Sequence, residues 1–309
     1  MNIRRITPQD YLQLFGEPSH IYNSVAFNEL NRHKCDDIHH LISEDEHGKP
    51  RLGLILGERG DVLASPFSAP FGGVEQIKQQ RVRQYIDFVD SLSAYGKTLG
   101  KEIRLTLPPH IYDRDGNVEK LLCALLTRGA RRVATEYNYH YPTERFQSYV
   151  EFLPRDERTK FRKACKAGFG FEVLGNSADD IARAYGVIKK NRESHGYPLR
   201  MSLDDVLVTT EVVGATFMVM SYEGEDVAAV QAFDVSPEIV QVIYWGDVPG
   251  YSALRPMRFL AYKVFEYFAG KKTIVDVGPS SSDGIPSLGL CDFKEEVGCV
   301  LTPKSSFVL

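Results

Sequence analysis

One series of local signals runs twice along this 309-residue chain. In each half a strand leads into a loop rich in Gly and Pro. A long amphipathic helix follows, then a Gly–Lys pair, a strand, and a short helix that carries Leu–Cys and stops at Gly. Gly100–Lys101 answers Gly270–Lys271, Leu122–Cys123 answers Leu290–Cys291, and Gly129 answers Gly298. Identity between the halves is slight, so the order of elements is what constrains the fold. A repeated order is the mark of one supersecondary unit built twice, and the length suits two domains of about 100–200 residues. The expected division is an N-terminal domain over residues 1–148, degenerate, and a C-terminal domain over 149–309 that carries the working site.

Periodicity supplies the elements. Val82, Tyr85, Ile86, Val89 and Leu92 recur at i, i+3, i+4, i+7, which predicts a helix ended by Gly100. RLGLILGERGDVLAS before it reads as two strands about a Gly turn. EIRLTLPP after it is a strand stopped by Pro108 and Pro109. VEKLLCALLTRG is a second helix, closed by Gly129, and RRVATEYNYHY an aromatic-rich strand. In the second half RDERTKFRKACKAG is a charged helix and FGFEVLG a strand. Ser177 with Asp180 marks a helix start. Residues 215–246 read as three consecutive strands, an antiparallel meander. Pro256 stands in the first turn of a helix, where its missing N–H costs nothing. KTIVDVG is a strand, IPSLGLCDFKEEVG a short helix and CVLTPKSSFVL a closing strand.

Composition narrows the function. The net charge is -4, which argues against a general DNA-binding surface, because phosphate neutralisation needs surplus Lys and Arg. No apolar run reaches the ~20 residues of a membrane span, and no apolar stretch follows Arg4 and Arg5 as a signal peptide would require. Five scattered cysteines suit reduced thiols in a cytoplasm rather than a disulfide scaffold.

Four stretches of the second half, over about residues 155–300, resemble the Fem-type peptidoglycan aminoacyltransferases and their acetyltransferase-like (GNAT) relatives. These are RTKFRKACKAGFGFEV, KKNRESHGYPLR, VIYWGDVPGY and IVDVGPSSSDGIPSLGLCDFKEEVG. The resemblance implies an α/β, mixed-sheet tandem of two GNAT-like (acyl-CoA N-acyltransferase) domains. It also implies N-acyl transfer: an amine attacks a thioester or aminoacyl ester directly, with acetyl-CoA or another acyl-CoA as one possible donor and no metal. The expected acceptor is a small molecule or a cell-wall or sugar precursor. A tRNA-borne donor stays open, and nothing in the sequence sets the oligomeric state.

Candidate residues follow from both lines. The loop from Gly246 to Leu254 precedes a helix N-terminus, whose free amides and dipole suit a pyrophosphate or another anion. Trp245, Gly246, Asp247, Val248, Gly250, Ser252 and Leu254 are the expected donor-binding residues. Gly246 and Gly250 are the only glycines where the family has a fuller pyrophosphate loop. That shortfall favours the alternative reading, a catalytically inactive GNAT-fold protein that binds a ligand or partner. Tyr244 and Lys294 are the catalytic candidates. Lys294, in the Phe293–Lys294 pair, would by resemblance stabilise negative charge on a donor phosphate or on the tetrahedral oxyanion. Arg192, Arg200 and Asp283 would hold substrate, an arginine clamping an acidic or phosphorylated acceptor, and His195 is a weaker candidate base. Arg155, Arg158, Arg162, Lys163 and Lys166 read first as a solvated helix face. In HKCDDIHH, Cys35 and His39 would share one face if the segment were helical. SSSDG lacks the Gly-x-Ser-x-Gly elbow of a serine nucleophile.

Overall fold

The computed structural model describes every residue, Met1–Leu309. The chain forms two compact units. One takes Met1–Tyr137, Ser281–Pro286 and Thr302–Leu309, the other Asn138–Ser280 and Ser287–Leu301.

In the first unit β1 (Asn2–Ile6), β2 (Asp37–Glu44), β3 (Pro50–Arg59) and β4 (Val62–Ser65) pair in that order, each antiparallel to the next. Short β5 (Val74–Gln76) also pairs with β3. Helices α1 (Pro8–Phe15) and α2 (Val25–Leu30) lie in the connection from β1 to β2. The long helix α3 (Val82–Leu99) carries the chain across to β6 (Glu102–Thr106), which runs parallel to β4. Of the stripe read from the sequence, Tyr85, Val89 and Leu92 are at most 1% exposed and Ile86 is partly buried, while Val82, in the first turn, is exposed; Phe88, outside that stripe, is fully buried with them against Leu41, Leu52, Leu54 and Ile103. Helix α4 (Asn117–Thr127) adds Leu121 and Leu125 to that core. Beside β6, on the side away from β4, lies the last strand of the chain, β15 (Val300–Val308), antiparallel to β6 with Phe307 opposite Leu105 and fully buried. A two-residue-stranded hairpin, β13 (Ser281–Ser282) and β14 (Ile285–Pro286), also belongs to this unit.

The second unit repeats the order. β8 (Gly170–Val173), β9 (Ala215–Tyr222), β10 (Glu225–Asp234) and β11 (Ile239–Asp247) are successively antiparallel. Helix α9 (Pro256–Phe268) crosses over, and β12 (Ile274–Pro279) returns parallel to β11. Closure comes from Asn138–Pro142 of β7 (Arg131–Pro142), antiparallel to β12. On one face α9 buries Leu260, Ala261, Val264, Phe265 and Phe268 against Met218, Val240 and Val275. Helices α5 (Tyr149–Phe152), α6 (Arg155–Cys165) and α10 (Leu288–Glu296) also belong to this unit, and Tyr149, Phe161 and Cys291 of these helices join the same cluster. On the other face α7 (Ala178–His195), capped at Ser177 as its sequence indicated, buries Ile181, Ala184, Val187 and Ile188 against Phe217, Val219 and Ala229. Helix α8 (Leu203–Thr210) adds Val206 there.

Each unit is therefore four antiparallel strands, a helical crossover to a parallel strand, and an antiparallel closing strand. The closing strand of each comes from the other half of the sequence. Tyr139 and Tyr141, buried on β7, sit in the core of the second unit, while Phe307 sits in that of the first. The compact units and the two halves of the sequence are thus different sets of residues around 138–148, 281–286 and 302–309.

The HKCDDIHH segment is not one helix: His33 and Lys34 end a short 3-10 turn, and Asp37–His40 belong to β2. His39 and His40 are neighbours on β2 and point to opposite faces, because side chains alternate along a strand. His39 pairs with Glu58 (2.9 Å) and with the Tyr95 hydroxyl (2.8 Å), so the expected face shared with Cys35 does not form. No helix is long and apolar enough to cross a membrane.

Candidate functional site

The second unit has one place where its sheet opens. β11 and β12 pair only at Ile239–Ile274, Val240–Val275 and Gln241–Asp276, after which β11 continues alone on that side to Asp247. The last paired rung is a buried polar knot. Asp276 is fully buried and accepts from Gln241 Nε2 (2.7 Å), Asn138 Nδ2 (2.9 Å) and the Gly278 amide (2.9 Å). A carboxylate out of water needs such donors. Here they tie β11, β7 and the turning end of β12 together at the point of parting.

Lys294 stands over that end. Helix α10 puts its ammonium against the Gly278 and Pro279 carbonyls, at 2.8 and 3.1 Å, and 5.6 Å from the Tyr139 ring centroid. Only 4% of the residue is exposed, so this is not a solvated surface lysine. Burial draws its pKa down to about 8, against the pull of Cys299 and Asp276. Burial also pushes the Cys299 thiol up to about 12. Two of the three ammonium N–H groups have protein acceptors, which leaves one donor. Phe293, one residue earlier, meets the Trp245 ring edge-on at 5.8 Å between centroids. Trp245, Phe293 and Lys294 thus come together where β11 runs free.

Strand alternation sends Tyr244 to the opposite face, under α7. Its hydroxyl accepts from the Arg200 amide (3.1 Å), and the Arg192 guanidinium lies 5.0 Å above its ring and 5.7 Å from the Tyr197 ring. Burial lowers the pKa of Arg192; its Nε is buried with no acceptor, and no carboxylate pairs with the side chain. Gln231, directly opposite Tyr244 on β10, is fully buried with neither amide atom bonded. Arg192 Nε and both Gln231 amide atoms are thus polar atoms under the end of α7 that no other protein group meets, where buried polar groups are ordinarily paired. His195 stacks on Tyr197 (5.5 Å, 12° between planes) and its Nδ1 lies 2.9 Å from the Asn191 carbonyl oxygen.

The loop after β11 is set by close packing. A Cβ on Gly246 would fall 2.3 Å from the Asn191 side chain, whose Nδ2 donates to the Asp247 carbonyl (2.7 Å). Burial raises the pKa of the Asp247 carboxyl, a bond from its own backbone and the nearby His195 opposing it. The Val248 amide returns to β10 at Val227 (2.8 Å). Ser252 is exposed, Leu254 half-buried, and Gly250 takes φ 103°, a left-handed value that suits glycine. Arg255 (φ 59°) leads into α9, whose first amides have no side-chain cap.

Asp283 is an exposed residue at φ 53°, in the β13–β14 turn, which belongs to the first unit. Arg155, Arg162, Lys163 and Lys166 are exposed, and Arg158 bonds the Leu153 and Glu151 carbonyls. Asn138, Asn191, Gln231, Gln241 and Asp276 escaped the sequence reading. Each is a single polar residue inside an otherwise apolar or mixed run, and only the partners brought by other elements distinguish it.

No family profile and no curated relative matches the sequence. Solved structures do match along nearly the whole chain. A structure of FemX superposes with a TM-score of 0.68 at 12% identity, over 99% of this chain and 97% of that one. A conserved protein of unknown function from Bacteroides thetaiotaomicron gives 0.61 at 12%, over 99% of both chains. A C-terminal domain described as that of a lysylphosphatidylglycerol synthetase from Agrobacterium fabrum gives 0.60 at 11%, over 98% and 92%. The chain has the Fem-like fold, a mixed α/β tandem of GNAT type, as the four sequence stretches implied.

Proposed function

We propose that the chain is an acyltransferase that moves an acyl or aminoacyl group from a thioester or ester to an amine, with the chemistry in the second unit. The observation that carries this reading is the parting of β11 from β12 with Lys294 held at its edge. A strand edge without a partner offers amides and carbonyls to a linear, amide-bearing donor. The uncapped first turn of α9, reached through Gly250 and Arg255, suits that donor's phosphates. Lys294 supplies the N–H that meets the oxyanion as the amine attacks; the oxyanion then collapses, the donor's C–S or C–O bond breaks, and the proton taken from the amine by Asp247, His195 or water goes to the departing thiolate or alkoxide. Tyr244 and Trp245 wall the two sides of β11. Arg192, lying between Tyr197 and Tyr244 with no acidic partner, holds an anionic group of the acceptor, and Arg200 stands beside it. The fold shared with FemX and with a domain of a protein named for making lysylphosphatidylglycerol keeps aminoacyl esters beside acyl-CoA as donors.

Trp245 is the only tryptophan, so it reports on this site directly. Titration with acetyl-CoA, and separately with an aminoacyl-tRNA, should change its emission for one of the two. The same donor should then lose its acyl group to an added amine. Unchanged emission and no transfer with either class would refute the reading.

A further inference from the structure

We propose that the first unit holds a ligand site of its own, a cleft that takes a small organic cation bearing N–H donors, a protonated amine. The cleft encloses about 180 Å³ and lies between residues 17–23, the β5 region and the stretch from Leu107 to the first turn of α4. An apolar void of about 150 Å³ admits benzene, so a compact molecule of roughly six to ten heavy atoms fits.

Two buried groups in its wall, Glu75 and His20, offer acceptors. Glu75, 7% exposed, is fixed by Ser19 and Asn23: Oε1 accepts from the Ser19 hydroxyl (2.6 Å), Asn23 Nδ2 (2.7 Å) and the Ser19 amide (3.2 Å). Oε2 accepts only from the Ser19 amide (3.0 Å), which leaves lone-pair capacity open. His20 is 2% exposed, and burial keeps its imidazole neutral, with a pKa of about 3. Its ring bonds the Gly72 backbone carbonyl, while Nδ1 has no partner. With the other nitrogen donating, Nδ1 is an acceptor, and a buried acceptor left unmet costs about 1–3 kcal/mol. A ligand N–H directed at it relieves that cost.

Charge points the same way. Glu17, Glu75 and Asp115 line the cleft against Arg114 alone. The amides at the start of α4, which otherwise suit an anion, are already taken: those of Val118 and Glu119 bond the Asp113 carboxylate at 2.9 and 3.3 Å. The site therefore selects a donor over an acceptor and a cation over an anion. It does not rest on acyl transfer by the second unit.

Calorimetric titration of the full chain with putrescine tests this, with 1,4-butanediol and succinate as neutral and anionic counterparts of similar length. Putrescine should bind one to one with a Kd of about 1 mM or tighter, and the other two should not bind. Glu75→Gln should weaken putrescine by about tenfold or more, the loss of a charged hydrogen bond. Should that variant not fold, the exposed pair Glu17→Gln with Asp115→Asn leaves the Ser19–Glu75–Asn23 cluster intact; Asn keeps the left-handed backbone of position 115. That pair should weaken putrescine by about threefold or more through lost long-range attraction. No binding at about 10 mM, equal binding of butanediol or succinate, or an affinity unmoved by these variants overturns the proposal.

Discussion

Lys294 carries a charge in a place that disfavours it, and this makes its chemistry separable from its packing. Its pKa is drawn from 10.5 to about 8, so between those values the unfolded chain binds more protons than the folded one. Stability contributed by this position therefore rises as pH goes from about 8 toward 10.5. Turnover should do the opposite. If the ammonium meets the oxyanion, the rate falls above pH about 8 as the proton leaves. Lys294→Met should cut turnover by about 100-fold or more and remove the alkaline limb. It should also cost about 1–3 kcal/mol, because the Gly278 and Pro279 carbonyls lose their donor. A pH–rate profile beside urea titrations at pH 7 and 9 checks both signs. The sequence singled out Lys294 through its Phe–Lys pair and Arg192 through the end of its helix. It did not show the burial of either, since a lysine on a short polar helix reads as exposed until Tyr139, Gly278 and Cys299 are brought round it. Gln231 and Asp276 were illegible for the same reason: one polar residue in an apolar strand carries no periodic signal.

Among the elements, those with a long period were readable. Helices α3, α7 and α9 announced themselves by repeated apolar positions, by Ser177 and Pro256 at the starts of α7 and α9 and by Gly100 at the stop of α3. The strands β9–β11 did so by turns at Glu223–Gly224 and Ser236–Pro237. Helices α1 and α2, of 8 and 6 residues, are too short to show a period and are held by tertiary packing instead. The seating of α7 on β11 was also invisible, yet it sets the loop before α9. It depends on Gly246, since a methyl there overlaps Asn191. Gly246→Ala should destabilise the protein by about 1–3 kcal/mol through overpacking. Asn191→Ala alone should cost about 1 kcal/mol by freeing the Asp247 carbonyl. The double variant should be more stable than the sum implies, because the second change removes the atoms the first collides with. Additive losses in chemical denaturation would show that the helix does not rest on this contact.

For the molecule as a whole, what matters is which part of the sequence supplies the strand beside β6 and the strand beside β12. The doubled order of signals showed two copies of one fold, but a closing strand looks the same whichever unit it joins, so the exchange of last strands could not be read from the sequence. It has a direct consequence for folding. A fragment of residues 1–148 retains β1 to β6 and the helices that cover them but lacks β15, leaving the β6 edge without its Thr106, Leu105 and Arg104 partners and the core without Phe307. Removing a fully buried Phe side chain costs about 3–5 kcal/mol, a large part of the ~5–15 kcal/mol that holds a domain together. The fragment should therefore be largely unfolded or aggregated, through its open edge. Adding Thr302–Leu309 behind a flexible linker, or supplying it as a peptide, should restore cooperative unfolding. The same peptide with Phe307→Ala should not. Circular dichroism melts of the three samples decide the matter: a bare fragment that melts cooperatively would mean that β15 is an ornament on the first unit rather than part of its core.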